Sequence, residues 1–257
     1  NNPESLFVVA NEDQYPIGVT GLSFPKMIGP CYRPGAPLPE YNPTFCDGRP
    51  TRWYFNLFRA SRTATNAVDP RLDATILYND PARASEMVYD RTRGSYFVNN
   101  PASPAQEDTM IFFRKYGETY IRTDQRWDDP INYKVLRYAD VLLMQAEALN
   151  ESGQTAQAFQ YVNQVRARVG KSALSAALST AQLRDSILVE RMFELGLESS
   201  RWTDMRRHPE TFGTWLGLTA PQRDRDFANF DINKSVRLPI PTNERNLNPN
   251  VPQNPGW

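Results

Sequence analysis

The chain has 257 residues, of which 40% are hydrophobic and 12% are aromatic, enough to bury a core in one large domain or two small ones. Since 29 basic residues balance 29 acidic ones, no overall positive field attracts nucleic acid or an anionic membrane surface. A single histidine excludes zinc sites that need two imidazoles, and the chain contains no P-loop or GxGxxG pattern. We therefore predict no nucleic-acid partner and no cofactor. No metal site is predicted either, because the acidic pairs Asp128/Asp129 and Asp224/Asp226 lack the spacing of an EF-hand, and calcium binding by these pairs is the open alternative.

Prolines divide the chain into three segments. Fourteen fall in residues 1–130, none in 131–208 and seven in 209–257. Because an interior proline costs a helix about 3 kcal/mol, long helices belong to the middle segment. We interpret 131–208 as a helical core, 1–130 as a loop-rich segment with short strands, and 209–257 as a Pro- and Asn-rich segment that packs on the core. The three segments are expected to form one domain.

The first segment combines short apolar runs with a long stretch of turn-forming residues. Residues 6–9 and 111–113 are predicted strands, whereas residues 29–50 have the composition of a long loop. Loops of this length are usually functional or disordered, and the interspersed aromatic residues favour an ordered, functional one. A disulfide between Cys31 and Cys46 would stabilise this loop by about 3 kcal/mol. Two free thiols are the alternative.

Aromatic residues in and after this loop are the candidate ligand-binding residues. A sugar ring packs its C–H groups on the face of a Trp or Tyr ring, while Arg side chains hydrogen-bond to hydroxyl groups. The candidates are Tyr32, Tyr41, Arg52, Trp53 and Tyr54. Their combination indicates capture of a saccharide or a peptide. The alternative is that the aromatic residues only fasten the loop to the helices.

Apolar residues at three- and four-residue steps predict three helices in the middle segment. The first covers residues 134–151 and the second residues 158–169, and together they form an antiparallel pair. Ser179 and Gln182 fit a capping box, so the third helix begins after Ser179 and continues to about residue 207.

Single residues mark the ends of these helices. Gly170 fits the glycine that follows a helix C-terminus. A bend is expected in the third helix at Gly196. His208 comes where this helix ends, which predicts a helix-cap or surface role rather than catalysis.

The first helix pair, residues 134–169, is close in length to the roughly 34-residue period of tetratricopeptide repeats. One hairpin cannot bury both of its faces, since solenoids usually need at least three stacked units. We therefore expect other helices, or sequence upstream of residue 1, to pack on this pair. The predicted fold class is mainly α, with tetratricopeptide-like helical hairpins, long irregular loops and a few short strands.

A Glu- and Arg-rich stretch lies in the third helix. Glu194 and Glu198, four residues apart on a helix, would have Cβ atoms about 5–6 Å apart, close to the carboxyl separation of about 5–5.5 Å in retaining glycosidases. Catalysis also needs one carboxyl with a raised pKa, whereas neighbouring arginines would lower both pKa values. We therefore predict structural ion pairs and no enzymatic activity, with a glycoside hydrolase as the alternative.

Segments from both ends of the chain resemble one known family. The C-terminal helical hairpin of SusD/RagB-type outer-membrane nutrient-binding lipoproteins is similar to YKVLRYADVLLMQAEALNESG and AFQYVNQVRARVG. The family's Glu/Arg-rich helix resembles LRDSILVERMFELGLESSRWTDMRR, and its usual ending resembles LPIPTNERNLNPNVPQNPGW. Upstream, NPESLFVV, DPRLDATI and FRKYG fit the intervening pattern in the same order.

The resemblance implies binding without catalysis. Such proteins lie on the external face of the outer membrane, cover a SusC-like TonB-dependent transporter, and capture oligosaccharides, or in RagB-like members peptides, for import. The resemblance also implies that this chain is the C-terminal half. The signal peptide, the lipidated cysteine that anchors the protein and the earlier tetratricopeptide-like helices would then lie in the missing N-terminal part. No site residue of the family transfers to this sequence.

Overall fold

The computed structural model describes residues 3–11, 27–29, 47–88, 91–97, 110–117, 131–198, 200–208 and 231–257. Within these ranges helices dominate and strands are short, which confirms the predicted mainly α class. The helices are α1 (Arg52–Ala60), α2 (Arg71–Thr75), α3 (Tyr138–Glu151), α4 (Thr155–Arg168), α5 (Thr180–Glu194), α6 (Arg201–Arg207), α7 (Ile232–Ser235) and α8 (Thr242–Leu247). The strands are β1 (Ser5–Val9), β2 (Ile76–Leu77), β3 (Met87–Val88), β4 (Arg91–Thr92), β5 (Phe112–Phe113) and β6 (Tyr133–Arg137).

Helices α3 and α4 form the predicted hairpin, and α5 packs against both of them. The turn between α3 and α4 contains Gly153, whose φ of 80° lies in the left-handed region that glycine adopts without strain. The core between the three helices is apolar and contains Leu143, Ala146, Ala158, Val162, Leu183 and Ile187, each 0% exposed. Burial of this stripe accounts for most of the stability of such short helices.

The predicted ends of α4 and the start of α5 are confirmed. Gly170 has φ 73°, and its N–H donates to the carbonyl of Ala167 at 3.0 Å, as at many helix C-termini. Ser179 accepts from the backbone N–H of Gln182, whose side chain accepts in return from the N–H of Ser179. This capping box satisfies amide groups that the first turn of a helix leaves unpaired.

The predicted start of α3 was wrong. Residues 134–137 belong to strand β6, which pairs antiparallel with β1, with Val9 opposite Tyr133 and Ser5 opposite Arg137. An irregularity in register on both sides of Phe7 bends this two-stranded ribbon. Tertiary pairing overrides the helical periodicity here, because β1 supplies backbone partners that a local pattern cannot reveal.

The expected continuation of α5 to residue 207 was also wrong. Helix α5 ends at Glu194, Leu195 forms its C-cap, and α6 begins only at Arg201. The chain turns at Leu197, whose φ of 68° is uncommon for a residue with a branched side chain. The expected bend near Gly196 is therefore a complete break, and the residues of the break line the site described below.

Helix α1 packs on the C-terminal end of α5. Phe55 and Phe58 are buried, and the ring of Phe58 stacks on that of Phe193 with centroids 4.5 Å apart. Strand β5 pairs with β2, which places Phe113 opposite Ile76 and confirms the strand predicted at residues 111–113. The predicted strand at residues 6–9 is likewise confirmed within β1.

The C-terminal segment makes hydrogen bonds within itself and also contacts the helical core. The indole N–H of Trp257 donates to the carbonyl oxygens of Lys234 at 3.1 Å and Arg237 at 2.8 Å. Val236 packs against the buried cluster of Leu188 and Met205. Across the described residues, no helix has the length and apolar character needed to cross a membrane.

Candidate ligand-binding site

The N-terminal end of α1 places two of the predicted aromatic residues in a pocket. The hydroxyl of Thr51 accepts from the N–H of Tyr54 at 3.2 Å and so caps the helix. Trp53 and Tyr54 pack against the apolar cluster that contains Met192 and Phe193, at the end of α5. Both residues line a pocket between α1, strand β5 and the break between α5 and α6.

This pocket has a volume of about 220 Å³. Sites for drug-sized ligands usually enclose about 300–1,000 Å³, so the space suits one ring of a larger ligand rather than the whole molecule. Its walls are mainly apolar, with several arginines at its border. The residues that define it include Arg49, Trp53, Tyr54, Phe113, Leu195, Gly196, Leu197 and Arg201.

The Tyr54 ring is fixed at the pocket wall. Its hydroxyl donates to the Met192 carbonyl oxygen at 3.1 Å, and burial raises the pKa of this hydroxyl. A Cβ atom on Gly196 would lie 2.4 Å from the Tyr54 oxygen, a separation that real Cβ atoms do not show. Glycine at position 196 therefore permits the close approach of Tyr54 to the end of α5.

Two arginines of the pocket are held in different ways. Arg191 donates to Asp204 at 2.9 Å and to Asp140 at 2.8 Å, so its guanidinium is fixed by two carboxylates. Burial lowers the pKa of Arg201 to about 10, which leaves this side chain protonated at neutral pH. Arg201 therefore places a positive charge at a largely apolar surface, where electrostatic interactions are stronger than in water.

Arg52, the remaining predicted site residue within the described ranges, does not line this pocket. Arg52 lies on a different face of α1, with its guanidinium carbon 5.7 Å from the centroid of the Phe55 ring. Tyr32, Tyr41 and the two cysteines, Cys31 and Cys46, lie outside the described residues. Two described residues on either side of this stretch are hydrogen-bonded to each other: the backbone N–H of Asp47 donates to the carbonyl of Met27 at 2.7 Å.

Glu194 is the centre of a buried ion-pair network, as predicted. Its carboxylate accepts from Arg71 at 2.8 Å, from Arg137 at 2.6 Å and from Arg168 at 2.5 Å. Burial alone would raise the pKa of Glu194, but these three guanidinium groups lower it to about 2. A carboxyl with this pKa is ionised at neutral pH and cannot act as a general acid.

Glu198 does not share a helix with Glu194, which corrects the four-residue helical spacing assumed from sequence. It lies in the break after α5, where it accepts from Arg137 at 2.7 Å and pairs with Lys115. Arg137 thus bridges both carboxylates. The geometry supports the prediction of structural ion pairs, because arginines contact both carboxylates.

His208 follows α6 directly, and its N–H donates to the carbonyl of Met205 at the helix C-cap. The predicted helix-cap position is confirmed, whereas a surface location is wrong, since the residue is only 8% exposed. Its Nε2 atom lies 3.3 Å from the Glu147 carboxylate, which also pairs with Arg207. His208 therefore joins a second ion-pair cluster at the end of α6.

Sequence reasoning missed Phe113, Leu197 and Arg201 as pocket residues. Phe113 is placed by its pairing with β2, which connects residues far apart in the chain. Gly196 was the signal in the sequence, since a glycine that interrupts a helical pattern points to a packing or functional reason for its small size. Nothing in the local sequence indicated that Tyr54 was the residue in contact with it.

The fold defines a tetratricopeptide-like helical scaffold, with a small aromatic pocket where its third helix ends. The sequence model of the SusD family matches residues 4–257, and the chain belongs to this family. In sequence it is similar to the SusD-like protein P2 of Formosa agariphila, with 42% identity over 138 residues. That match takes in 49% of this chain and 26% of the relative.

Solved structures have the same fold. A SusD superfamily protein from Bacteroides vulgatus matches with a TM-score of 0.70 and 23% identity, covering 100% of this chain and 52% of the other. The surface glycan-binding protein A of Bacteroides thetaiotaomicron, in complex with laminarihexaose, matches with a TM-score of 0.61 and 20% identity, covering 98% and 52%. The chain thus spans about half the length of these solved chains, and at these identities the likeness shows the fold alone.

Proposed function

We propose that this chain is part of a cell-surface binding protein that captures an oligosaccharide through the Trp53 pocket. One observation carries the proposal: the half-buried rings of Trp53 and Tyr54 form a fixed apolar wall beside the cationic Arg201. An aromatic face accepts the C–H groups of a sugar ring, and a guanidinium donates to its hydroxyl groups. Membership of the SusD family, and a member of that fold with laminarihexaose bound, support a glycan as the ligand.

The proposed role has no chemical step. Captured glycan passes to a SusC-like TonB-dependent transporter, and the protein is held by a lipid anchor on the external face of the outer membrane. The resemblance described above supports this delivery role, which is tested by co-purifying the full-length protein with an outer-membrane TonB-dependent transporter. The absence of a transporter from the co-purified proteins would contradict this role.

Calorimetric titration of the full-length protein tests the capture step. The panel contains laminarihexaose, other neutral oligosaccharides and a set of peptides. We expect one glycan to bind and Trp53→Ala to weaken its binding at least tenfold, because stacking on an aromatic side chain is lost. Trp257→Ala is the matched control, since Trp257 does not line the pocket, and it should leave the affinity unchanged.

Two outcomes would contradict glycan capture in this pocket. Equal affinities of the Trp53→Ala and Trp257→Ala variants would show that the ligand binds elsewhere. Binding of peptides with no response to any saccharide would support the RagB-like alternative instead. Thermal unfolding of both variants verifies that a loss of binding is not a loss of folded protein.

A further inference from the structure

The turn that follows helix α5 forms one wall of the Trp53 pocket. Leu195, Gly196 and Leu197 all line the pocket. Leu197 has a φ of 68°, in the left-handed region that is unfavourable for a residue with a Cβ atom. Within the turn, the N–H of Glu198 donates to the carbonyl of Leu195 at 2.9 Å. A strained backbone conformation of this kind persists where the surrounding structure holds it, so the turn needs support from other parts of the chain.

Two cations hold the residue before the turn. The carbonyl oxygen of Glu194, the last residue of α5, accepts from Nη2 of Arg137 at 2.6 Å and from Nζ of Lys115 at 3.2 Å. The last carbonyl groups of a helix have no partner within the helix, and a cation there also complements the negative end of the helix dipole. The start of the turn is therefore fixed by two side chains that are distant in sequence.

The same two cations hold the residue after the turn. The carboxylate of Glu198 accepts from Nε of Arg137 at 2.7 Å and pairs with Lys115. Because the side chains of Arg137 and Glu198 are only 6% and 7% exposed, solvent screens their contact little. Arg137 and Lys115 thus each bridge the turn, with one contact before Leu197 and one after it.

The two cations are placed by separate strands. Arg137 is the last residue of β6, and Lys115 comes two residues after Phe113, the pocket residue of β5. The N–H groups of Arg114 and Lys115 donate to the carbonyl of Thr75 at 2.8 and 3.3 Å, so backbone contacts fix the position of Lys115. Neither Arg137 nor Lys115 is among the residues that line the pocket. They therefore act on a ligand through the residues that they hold.

We infer that Arg137 and Lys115 are positioning residues of the Trp53 pocket, which keep Leu197 in the conformation that the ligand requires. The inference rests on the proposed function, since it concerns capture of a saccharide in this pocket. Without the two bridges, Leu197 would return to the right-handed or extended regions that it favours. Only the molecules that retain the turn would then bind, and the apparent Kd would rise by the inverse of their fraction.

Lys115→Met tests the inference in the full-length protein. Methionine keeps an unbranched side chain and removes the charge, while Glu198 keeps its contact with Arg137. The probes are laminarihexaose and the other neutral oligosaccharides of the panel described above. We expect the Kd of the bound glycan to rise about tenfold, as for a turn that about a tenth of the molecules retain. Lys115→Arg, which retains a cationic donor, should recover most of the affinity.

Arg166→Met is the matched control. Arg166 pairs with Glu190 of α5 at 3.0 Å, and Glu190 keeps its contact with Arg71 at 2.7 Å when Arg166 is replaced. The control therefore also removes one cation from a buried carboxylate of α5, but one helical turn before the pocket wall. We expect the affinity for the glycan to stay unchanged. Thermal unfolding of both variants verifies that they are folded at the temperature of the titration.

Binding kinetics distinguish positioning from direct contact with the ligand. In surface plasmon resonance, Lys115→Met should lower the association rate constant by the factor by which Kd rises and leave the dissociation rate constant unchanged, because the turn has to be in place before the ligand binds. Trp53→Ala removes a contact with the bound ligand and should instead raise the dissociation rate constant. Without ligand, hydrogen exchange of residues 195–198 should be faster in Lys115→Met than in Arg166→Met.

Three outcomes would overturn the inference: an unchanged Kd in folded Lys115→Met, equal losses of affinity in Lys115→Met and Arg166→Met, or a change confined to the dissociation rate constant. If a glycan binds and depends on Trp53 but not on Lys115, the proposed function stands and the positioning role is refuted. If the wild type binds no saccharide, the proposed function is refuted, and this inference is refuted as well.

Discussion

Gly196→Ala tests the contact that shapes the candidate pocket. The added Cβ would lie 2.4 Å from the Tyr54 hydroxyl oxygen and 3.3 Å from the Met192 carbonyl oxygen, so the Tyr54 ring has to move. Overpacking of a buried site costs about 1–3 kcal/mol. Displacing the Tyr54 hydroxyl from Met192 costs a further 0.5–1.5 kcal/mol, roughly the net value of one hydrogen bond. We therefore expect Gly196→Ala to lower the free energy of unfolding by about 2–4 kcal/mol.

A double-mutant cycle isolates the contact. Tyr54→Phe removes the clashing oxygen, and the next ring atom of Tyr54 lies 3.5 Å from the place that a Cβ on residue 196 would occupy, an ordinary van der Waals separation. Tyr54→Phe alone should cost about 1 kcal/mol, and the double variant should be little less stable than that. Urea unfolding of the four proteins then gives a coupling energy close to the whole cost of Gly196→Ala, about 2–4 kcal/mol. Additive effects, with a coupling energy near zero, would refute the proposed contact.

Three further predictions concern the frame that holds the pocket. Glu194→Gln should destabilise the protein by about 3–5 kcal/mol in urea unfolding, because three arginines lose their shared carboxylate, whereas the exposed Glu244→Gln should change stability by less than about 0.5 kcal/mol. The folded pKa of Glu194, about 2, lies below the unfolded value of about 4.3. The difference corresponds to roughly 3 kcal/mol of the free energy of unfolding, which is fully present above about pH 5 and is lost as the pH falls toward 2. The unfolding free energy of Glu194→Gln should therefore fall less steeply than that of the wild type between pH 5 and 3, and parallel curves would contradict this. Gly170→Ala should cost about 1 kcal/mol in thermal unfolding, since its φ of 73° strains any residue with a Cβ; no loss of stability would argue against the left-handed turn. Ser179→Ala should cost about 1 kcal/mol by loss of the N-cap, and Ser179→Thr, which keeps the hydroxyl, should recover most of it.

The elements that could be predicted from sequence are those that local chemistry determines. The buried stripe of α3 and α4, the left-handed Gly170 and the capping box at Ser179 each depend on residues within one or two helical turns. Strand β6 could not be predicted in this way. Its partner β1 lies more than 100 residues away. In the sequence alone residues 134–137 fit the helical spacing, and it is the pairing with β1 that makes them a strand.

The candidate site could be predicted only in part, because one of its walls comes from residues that are distant in the sequence. Trp53 and Tyr54 were predicted as site residues because they are aromatic and follow a long loop, and both line a pocket. The opposite wall comes from Phe113, Leu197 and Arg201, which reach it through sheet pairing and through the break after α5. Arg52 was grouped with Trp53 because they are adjacent in sequence, yet neighbouring residues on a helix point about 100° apart. Arg52 therefore lies on another face of α1 and does not line the Trp53 pocket.

One short stretch at the end of α5 connects the frame to the Trp53 pocket. Its apolar side chains hold α1, since Phe193 stacks on Phe58 and the Met192 carbonyl accepts from Tyr54. Its acidic side chain, Glu194, is held by arginines from three other parts of the chain. Buried ion pairs add little net stability compared with apolar packing, but breaking one is costly, so they fix the position of the group they surround. With this end of α5 fixed by charge and α1 fixed to it by aromatic packing, α1 keeps its orientation, and Trp53 and Tyr54 stay in the pocket wall.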